Sequence, residues 1–224
     1  MFMGAVRAEL IPQNPVSVAK KPKAKGTKKT VTPFTVAELL SVIRTAPGEY
    51  TAGAVLATQA AIGCRIGEAL ALDVPDWNPE ANTLSITKTY DGEHGIGPPK
   101  TDNGFRTIEV PDVLVPFLTA AIGGRKSGPI FITLKKNRFI GQMVGRAWRK
   151  VQAKLKLPKR RGHILRHSVI THLFAANWSP ADIAAYVGDA VETLIKVYLH
   201  PTGKSPVKVL NDLYGGGKVG NGEG

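Results

Sequence analysis

A single cysteine, Cys64, stands among the 224 residues, so an internal disulfide is excluded. No apolar run approaches the roughly 20 residues of a membrane-spanning helix, and no membrane partner is expected. The first ten residues, MFMGAVRAEL, lack a signal-peptide core. The location expected from these absences is the cytoplasm. The most informative absence is of negative charge. From residue 125 to 161 there is no Asp or Glu, while the same stretch holds thirteen Lys and Arg. A solvated surface normally mixes its signs, so a one-sign stretch of this length points to a polyanion, of which DNA phosphate is the usual one.

What is present fits a globular domain with basic character. Hydrophobic residues make up 43% and charged residues 21%, enough for an ordinary core. The net charge is +13; residues 1–30, with seven Lys/Arg against Glu9, supply +6, which leaves +7 to the rest. The folded part is therefore basic in its own right.

Residues 1–33 read as a linker and the edge of a missing N-terminal domain. Pro12, Pro15, Pro22 and Pro33, with six lysines between Lys20 and Lys29, cannot build a core. Thr35 with Glu38 predicts a capping box for a helix over TVAELLSVIRTA. A second helix is expected from Thr51 to Ile62, broken at Gly63, and a third from Arg65 to Leu72. Alternation predicts strands at Thr83–Lys88 and Arg106–Val110, joined by the Gly- and Pro-rich DGEHGIGPPKTDNG, with a further short strand at Pro129–Thr133. Residues 138–155 read as a helix with Val144, Ala147, Trp148, Val151 and Leu155 as its apolar stripe and Arg146, Lys150 and Lys154 on another face. Helices follow at 163–176, 180–187 and 190–199; residues 34–214 form one domain, and 215–224 a Gly-rich tail.

Five segments carry candidate chemistry: GCRIGEAL at 63–70, PPKTDNGFRTIEV at 98–110, HILRHSVITHL at 163–173, YVGDA at 186–190 and TLIKVYLH at 193–200. Taken singly, each has an ordinary structural explanation: Arg65 pairing with Glu68, Lys100 a loop lysine, Tyr198 half-buried core. Taken in order, they resemble the active-site motifs of tyrosine recombinases, the phage integrase family, over roughly residues 35–200. The most specific elements are His163-Ile164-Leu165-Arg166-His167 and, 35 positions after His163, Tyr198 in a Tyr-x-His context.

The resemblance implies a mainly helical α+β catalytic domain with a small antiparallel sheet, and site-specific DNA recombination. Tyr198 matches the nucleophile that forms a 3′-phosphotyrosyl bond, which conserves bond energy and needs no ATP. Arg65 and Arg166 match the guanidiniums that grip the non-bridging phosphate oxygens. His163 and Arg166, three apart on one helix, share a face; His163 is expected to assist proton traffic at Tyr198. Lys100 matches the general acid for the leaving 5′-oxygen, and Glu68 the acidic residue that orients Arg65 or His163. Arg146, Lys150, Lys154, Arg160 and Arg161 are expected to contact DNA. The implied partners are double-stranded attachment sites and further copies of the chain, as a tetramer on DNA, with no cofactor.

At one position the sequence departs from the family. Nine residues before Tyr198, where the family has His or Trp, stands Asp189, whose ionised carboxylate repels phosphate. Three readings are open: a protonated Asp189, an Asp189 that orients a neighbour, or a slower site. His167 and His172 read as structural or DNA-proximal, since no Glu stands between His163 and His167 in a zinc-type HExxH. Two alternatives are open for the whole chain: a DNA-binding protein derived from an integrase without catalysis, and a type IB topoisomerase-like enzyme.

Overall fold

The computed structural model describes residues 2–18, 32–99 and 102–198. The chain divides into two units, residues 1–32 and 33–224. The first holds two short helices, α1 (Phe2–Arg7) and α2 (Pro15–Val18); α2 is a single turn inside the span that reads as linker. Lys100, Leu199, His200 and the C-terminal tail lie outside the described residues.

The second unit begins with α3 (Val36–Glu49), and its start is set by sequence. The Thr35 hydroxyl accepts from the Glu38 N–H at 3.2 Å while the Glu38 carboxylate accepts from the Thr35 N–H at 2.7 Å. This satisfies two amides that a helix start otherwise leaves unpaired. α4 (Gly53–Ile62) is apolar on nearly all sides and buries eight of its residues, as a central helix must. It packs against α3, α7 (Gly141–Lys154) and α8 (Ile164–Ala175). Gly63 ends α4 with φ 65°, a left-handed conformation that glycine adopts without strain. The chain then turns directly into α5 (Ile66–Ala71), with Arg65 at its N-cap.

A three-stranded antiparallel sheet of β1 (Trp77–Asn78), β2 (Thr83–Ile86) and β5 (Arg106–Glu109) runs in the order β1-β2-β5. Leu84 pairs with Ile108, and Leu84, Ile86 and Ile108 all face the core, the period-2 pattern of a half-buried sheet. Within the long connection the chain folds on itself as a hairpin, β3 (Thr89–Asp91) with β4 (Gly95–Gly97). Residues 129–133 make only isolated bridges, Asp73 with Pro129 and Ile132 with Arg138. The strand expected there is absent because its polar groups find single partners and no ladder: the Pro129 and Ile130 carbonyls accept from the Arg125 guanidinium, and the Ile130 N–H donates to the Leu72 carbonyl.

α6 (Val115–Ile122), a helix not expected from the sequence, follows the sheet. The stripe Val144, Ala147, Trp148 and Val151 of α7 is buried as predicted. The remaining helices are α9 (Pro180–Val187) and α10 (Val191–Tyr198). A small apolar cluster of Ile170, Ile183, Ala184, Val187 and Leu194 ties α8, α9 and α10 together. That cluster fixes where Asp189 and Tyr198 lie. No helix among the described residues is long and apolar enough to cross a membrane.

Candidate active site

Three segments far apart in sequence meet around one carboxylate. Arg65 projects from the start of α5, and its Nη2 donates to Asp189 Oδ1 at 3.0 Å. Arg166, on α8 and only 2% exposed, donates from Nη2 to Asp189 Oδ2 at 2.9 Å. Asp189 stands on the three-residue link between α9 and α10. The two guanidiniums expected to converge do so, each holding one oxygen of the residue that departs from the family pattern. Asp189 thus touches both of the neighbours that one of its three open readings has it orient.

Each arginine is fixed from behind. Arg166 Nη1 donates to the Gly63 carbonyl at 2.9 Å and the Val187 carbonyl at 2.7 Å, so the left-handed end of α4 and the end of α9 both serve as its seat. Burial holds the Arg166 pKa below its ordinary value, with the Asp189 contact opposing; a guanidinium nonetheless stays charged at any ordinary pH. Arg65 Nη1 donates to Glu68 Oε1 at 2.9 Å and to the Gly188 carbonyl. Glu68, 2% exposed, accepts through Oε2 from the Arg65 backbone N–H and from Arg106 Nη2, both at 2.9 Å. It thus supports Arg65, one of its two expected partners, and also a residue the sequence reading did not single out. Arg106 donates further to the Tyr186 carbonyl at 2.8 Å and the Gly104 carbonyl at 3.1 Å. It locks β5, α5 and α9 into one frame. Asn103, three positions beyond Lys100, donates to the Asp189 carbonyl at 2.9 Å.

The frame leaves no room at Gly188. Its φ is 71°, and a Cβ there would sit 2.2 Å from Arg106 Nη1. Gly188→Ala is expected to destabilise the fold by about 1–3 kcal/mol through strain and displacement of Arg106. Gly95→Ala, with φ 83° but open space around it, feels the strain alone. Denaturant unfolding of the two variants side by side checks this, and equal losses would show that displacing Arg106 costs nothing.

His163 lies at the start of α8 and lines, with Arg65 and Glu68, a cleft of about 600 Å³ that runs under the β3–β4 hairpin. Although much of its surface is open to water, partial burial lowers its pKa, and the charges of Arg166, His167 and Arg65 lower it further against an opposing pull from Asp189. The neutral imidazole is therefore the favoured form near neutrality. Tyr198, half-buried at the end of α10, meets a different histidine. Its hydroxyl hydrogen-bonds His167 Nδ1 at 2.8 Å, and its ring stacks on Phe174 at 5.5 Å between centroids. Burial pushes the phenol up to about 12, Arg166 opposing and Asp189 adding. His172 is anchored elsewhere, its Nε2 within 2.7 Å of the Phe34 carbonyl oxygen. Cys64, beside Arg65, is fully buried and its thiol is pushed up to about 12 by burial and then by Glu68, which makes it unreactive.

Of the residues expected to contact DNA, Arg146 and Lys150 are exposed along α7. Lys154 is paired with Glu49. Arg160 lies over the Phe34 ring at 5.4 Å, and its carbonyl accepts from Trp148 and Gln152. Arg161 is exposed and lines a cavity with Arg149, Lys156, Lys159 and Arg160.

Comparison with known proteins places this geometry. A probable integrase of prophage ps2 from Lactococcus lactis subsp. lactis (strain IL1403) is 25% identical over 242 residues, covering 95% of this chain and 63% of its own length. A XerC-like tyrosine recombinase from Caldanaerobacter subterraneus subsp. tengcongensis is 24% identical over 135 residues, 52% of this chain and 34% of its own length. Among solved structures, the Tn1549 transposon integrase in complex with circular intermediate DNA superposes with a TM-score of 0.68 at 20% identity, over 95% of this chain and 76% of that one. XerA recombinase does so at 0.61 and 18%, over 93% and 70%. These likenesses show the recombinase catalytic fold. The phage integrase family model matches residues 29–204, most of the chain and all of the site just described, and the chain belongs to that family.

Proposed function

We propose that the chain cleaves and rejoins double-stranded DNA at specific sites through a 3′-phosphotyrosyl bond on Tyr198. The observation that carries this reading is the convergence of Arg65 and Arg166, from separate helices, on a single anion-sized position. Two forked, permanently charged donors preorganised there suit the developing charge of a pentacoordinate phosphate. In the step we infer, the Tyr198 oxygen bonds to phosphorus, the bond from phosphorus to O5′ breaks, and the phenolic proton passes to a histidine ring nitrogen. His167, already at the hydroxyl, is the nearest acceptor. Lys100 supplies the proton to the departing O5′. Glu68 and Arg106 hold Arg65 in place and touch no substrate. Recombination between two attachment sites, by a tetramer, is the assembly this chemistry serves in our reading.

Asp189 favours a second reading, an integrase-derived DNA-binding protein without catalysis, because its carboxylate already satisfies both arginines. One experiment separates the two. A half-site DNA with a nick beside the scissile phosphate, drawn from a randomised pool by selection on this protein, should give a denaturant-stable protein–DNA adduct. Binding without any adduct would leave the non-catalytic reading standing. An adduct that only relaxes supercoils, without joining two sites, would point to topoisomerase-like activity.

DNA affinity should depend steeply on salt, since each Lys or Arg that neutralises a phosphate releases condensed counterions. Reversing Arg146 and Lys150 to Glu is expected to flatten the slope of log affinity against log salt by roughly 2, at about 0.9 for each phosphate no longer neutralised. Adding Lys154→Glu should change it little more, because Lys154 is already paired with Glu49. Filter-binding titrations from low to moderate salt measure this; an unchanged slope would take α7 off the DNA surface.

A further inference from the structure

The two family arginines in this chain are not waiting empty-handed. Asp189 gives one oxygen to each, at 3.0 and 2.9 Å, in the bridging arrangement that two non-bridging oxygens of a phosphate would take. We propose that Asp189 is a built-in competitor for phosphate: its carboxylate occupies the anion seat between Arg65 and Arg166, and a phosphate enters only by displacing it. The inference rests on the reading that this arginine pair is the phosphate site.

Charge and chain geometry both support it. The described charged groups in direct contact are Arg65, Arg106 and Arg166 against Glu68 and Asp189. They leave one net positive charge with Asp189 seated and two with its side chain turned away. A phosphodiester brings one negative charge and its pentacoordinate form two, so only the site without Asp189 balances the latter. Glu68 cannot play the same part, because it is buried behind Arg65 and committed to Arg106. Asp189, by contrast, is only part-buried and stands on the short link Gly188-Asp189-Ala190, after a glycine already in the left-handed region. Its remaining side-chain bond, from the Ala190 N–H at 3.2 Å, is one an asparagine or serine oxygen can also accept. The seat is therefore filled by a side chain that can swing, held by charge-assisted bonds that a phosphate can replace one for one.

The test uses inorganic phosphate as the probe and the full chain. Isothermal titration should show at least ~10-fold tighter phosphate binding by Asp189→Asn than by the unsubstituted chain, the size expected from removing one charge-assisted competitor. Asp189→Asn combined with Arg65→Ala should lose that gain. No gain in a folded Asn variant would overturn the proposal and leave Asp189 as an orienting residue. A gain that survives Arg65→Ala would also overturn it, since the anion would then bind elsewhere. If Asp189→Asn does not fold by circular dichroism, Asp189→Ser takes its place; collapse of both would show that the carboxylate is structural and would equally overturn the idea. The phosphotyrosyl reading fails separately: tighter phosphate binding together with no covalent DNA adduct in any form would keep the competitor and remove the recombinase step.

Discussion

Tyr198→Phe should abolish the covalent DNA adduct, a fall of roughly 10⁴-fold or more in trapping rate, while DNA binding stays within about 2-fold, because only the attacking atom is removed. The structure makes this a clean substitution. The ring keeps its stack on Phe174, and the fold loses a single hydrogen bond to His167, worth about 1 kcal/mol. The adduct from the unsubstituted chain should map to Tyr198. Attachment to Tyr186 is not expected: its hydroxyl lies on the Glu109 carbonyl and it too is pushed up to about 12, chiefly by burial. Tyr214, the other tyrosine of the C-terminal part, lies outside the described residues. Wild-type trapping by the Phe variant would show that the nucleophile has been misassigned.

The same residue has a signature in the free protein. A phenol raised to about 12 titrates well above the usual value of roughly 10. A folded-state value above the unfolded one contributes stability that is fully present below about pH 10 and is lost as pH rises through 12. Ultraviolet titration should therefore show one fewer high-pH tyrosine in Tyr198→Phe. A Tyr198 that titrates near the usual phenol value would mean that its ring is not packed as described. In the proposed reaction, a phenol so raised does not ionise by itself near neutrality, so a base at the hydroxyl is needed. His167→Ala should accordingly slow adduct formation more than it weakens DNA binding.

Much of this arrangement is legible in the chain because it depends on local chemistry. Thr35 and Glu38 announce the start of α3, and Gly63 the end of α4. α6 is hidden because Pro111 and Pro116 flank and enter a segment so uniformly apolar that no 3.6-residue period emerges. The β3–β4 hairpin is hidden because glycines that serve its turn also read as plain loop. In the site, Arg65, Glu68 and Arg166 stand out through motif spacing, and Asp189 through its departure from it. Arg106 does not, since a lone arginine opening a strand has no local mark; its importance arises only where β5, α5 and α9 meet. The pairing of Tyr198 with His167, the neighbour of Arg166, is hidden for a similar reason. Spacing puts His163 and Arg166 on one helical face, whereas the way α10 crosses α8 decides which histidine the tyrosine reaches.

Arg166→Ala should be the most damaging single change at the site for stability, and it should slow the chemistry as well. The side chain is 2% exposed and holds three partners at once: the Gly63 carbonyl, the Val187 carbonyl and Asp189. Truncation leaves two buried carbonyls without their donor and opens a cavity between α4, α8 and α9. Removing one partner of a buried ion pair typically costs about 3–5 kcal/mol, a large part of a domain's total stability. The chemical loss is separate: with one of two preorganised donors gone, trapping should fall by about 10²–10³-fold even at a temperature where the variant is folded. Arg166→Lys distinguishes the two effects. It keeps the positive charge but, lacking the forked geometry, can no longer reach two carbonyls and an anion together. It should recover part of the stability, read as the denaturant midpoint, and little of the trapping rate. Full recovery of trapping by lysine would mean that charge alone suffices there. Arg65→Lys at the exposed side of the same seat should then be equally benign, and the fixed two-pronged grip would have no part in the reaction.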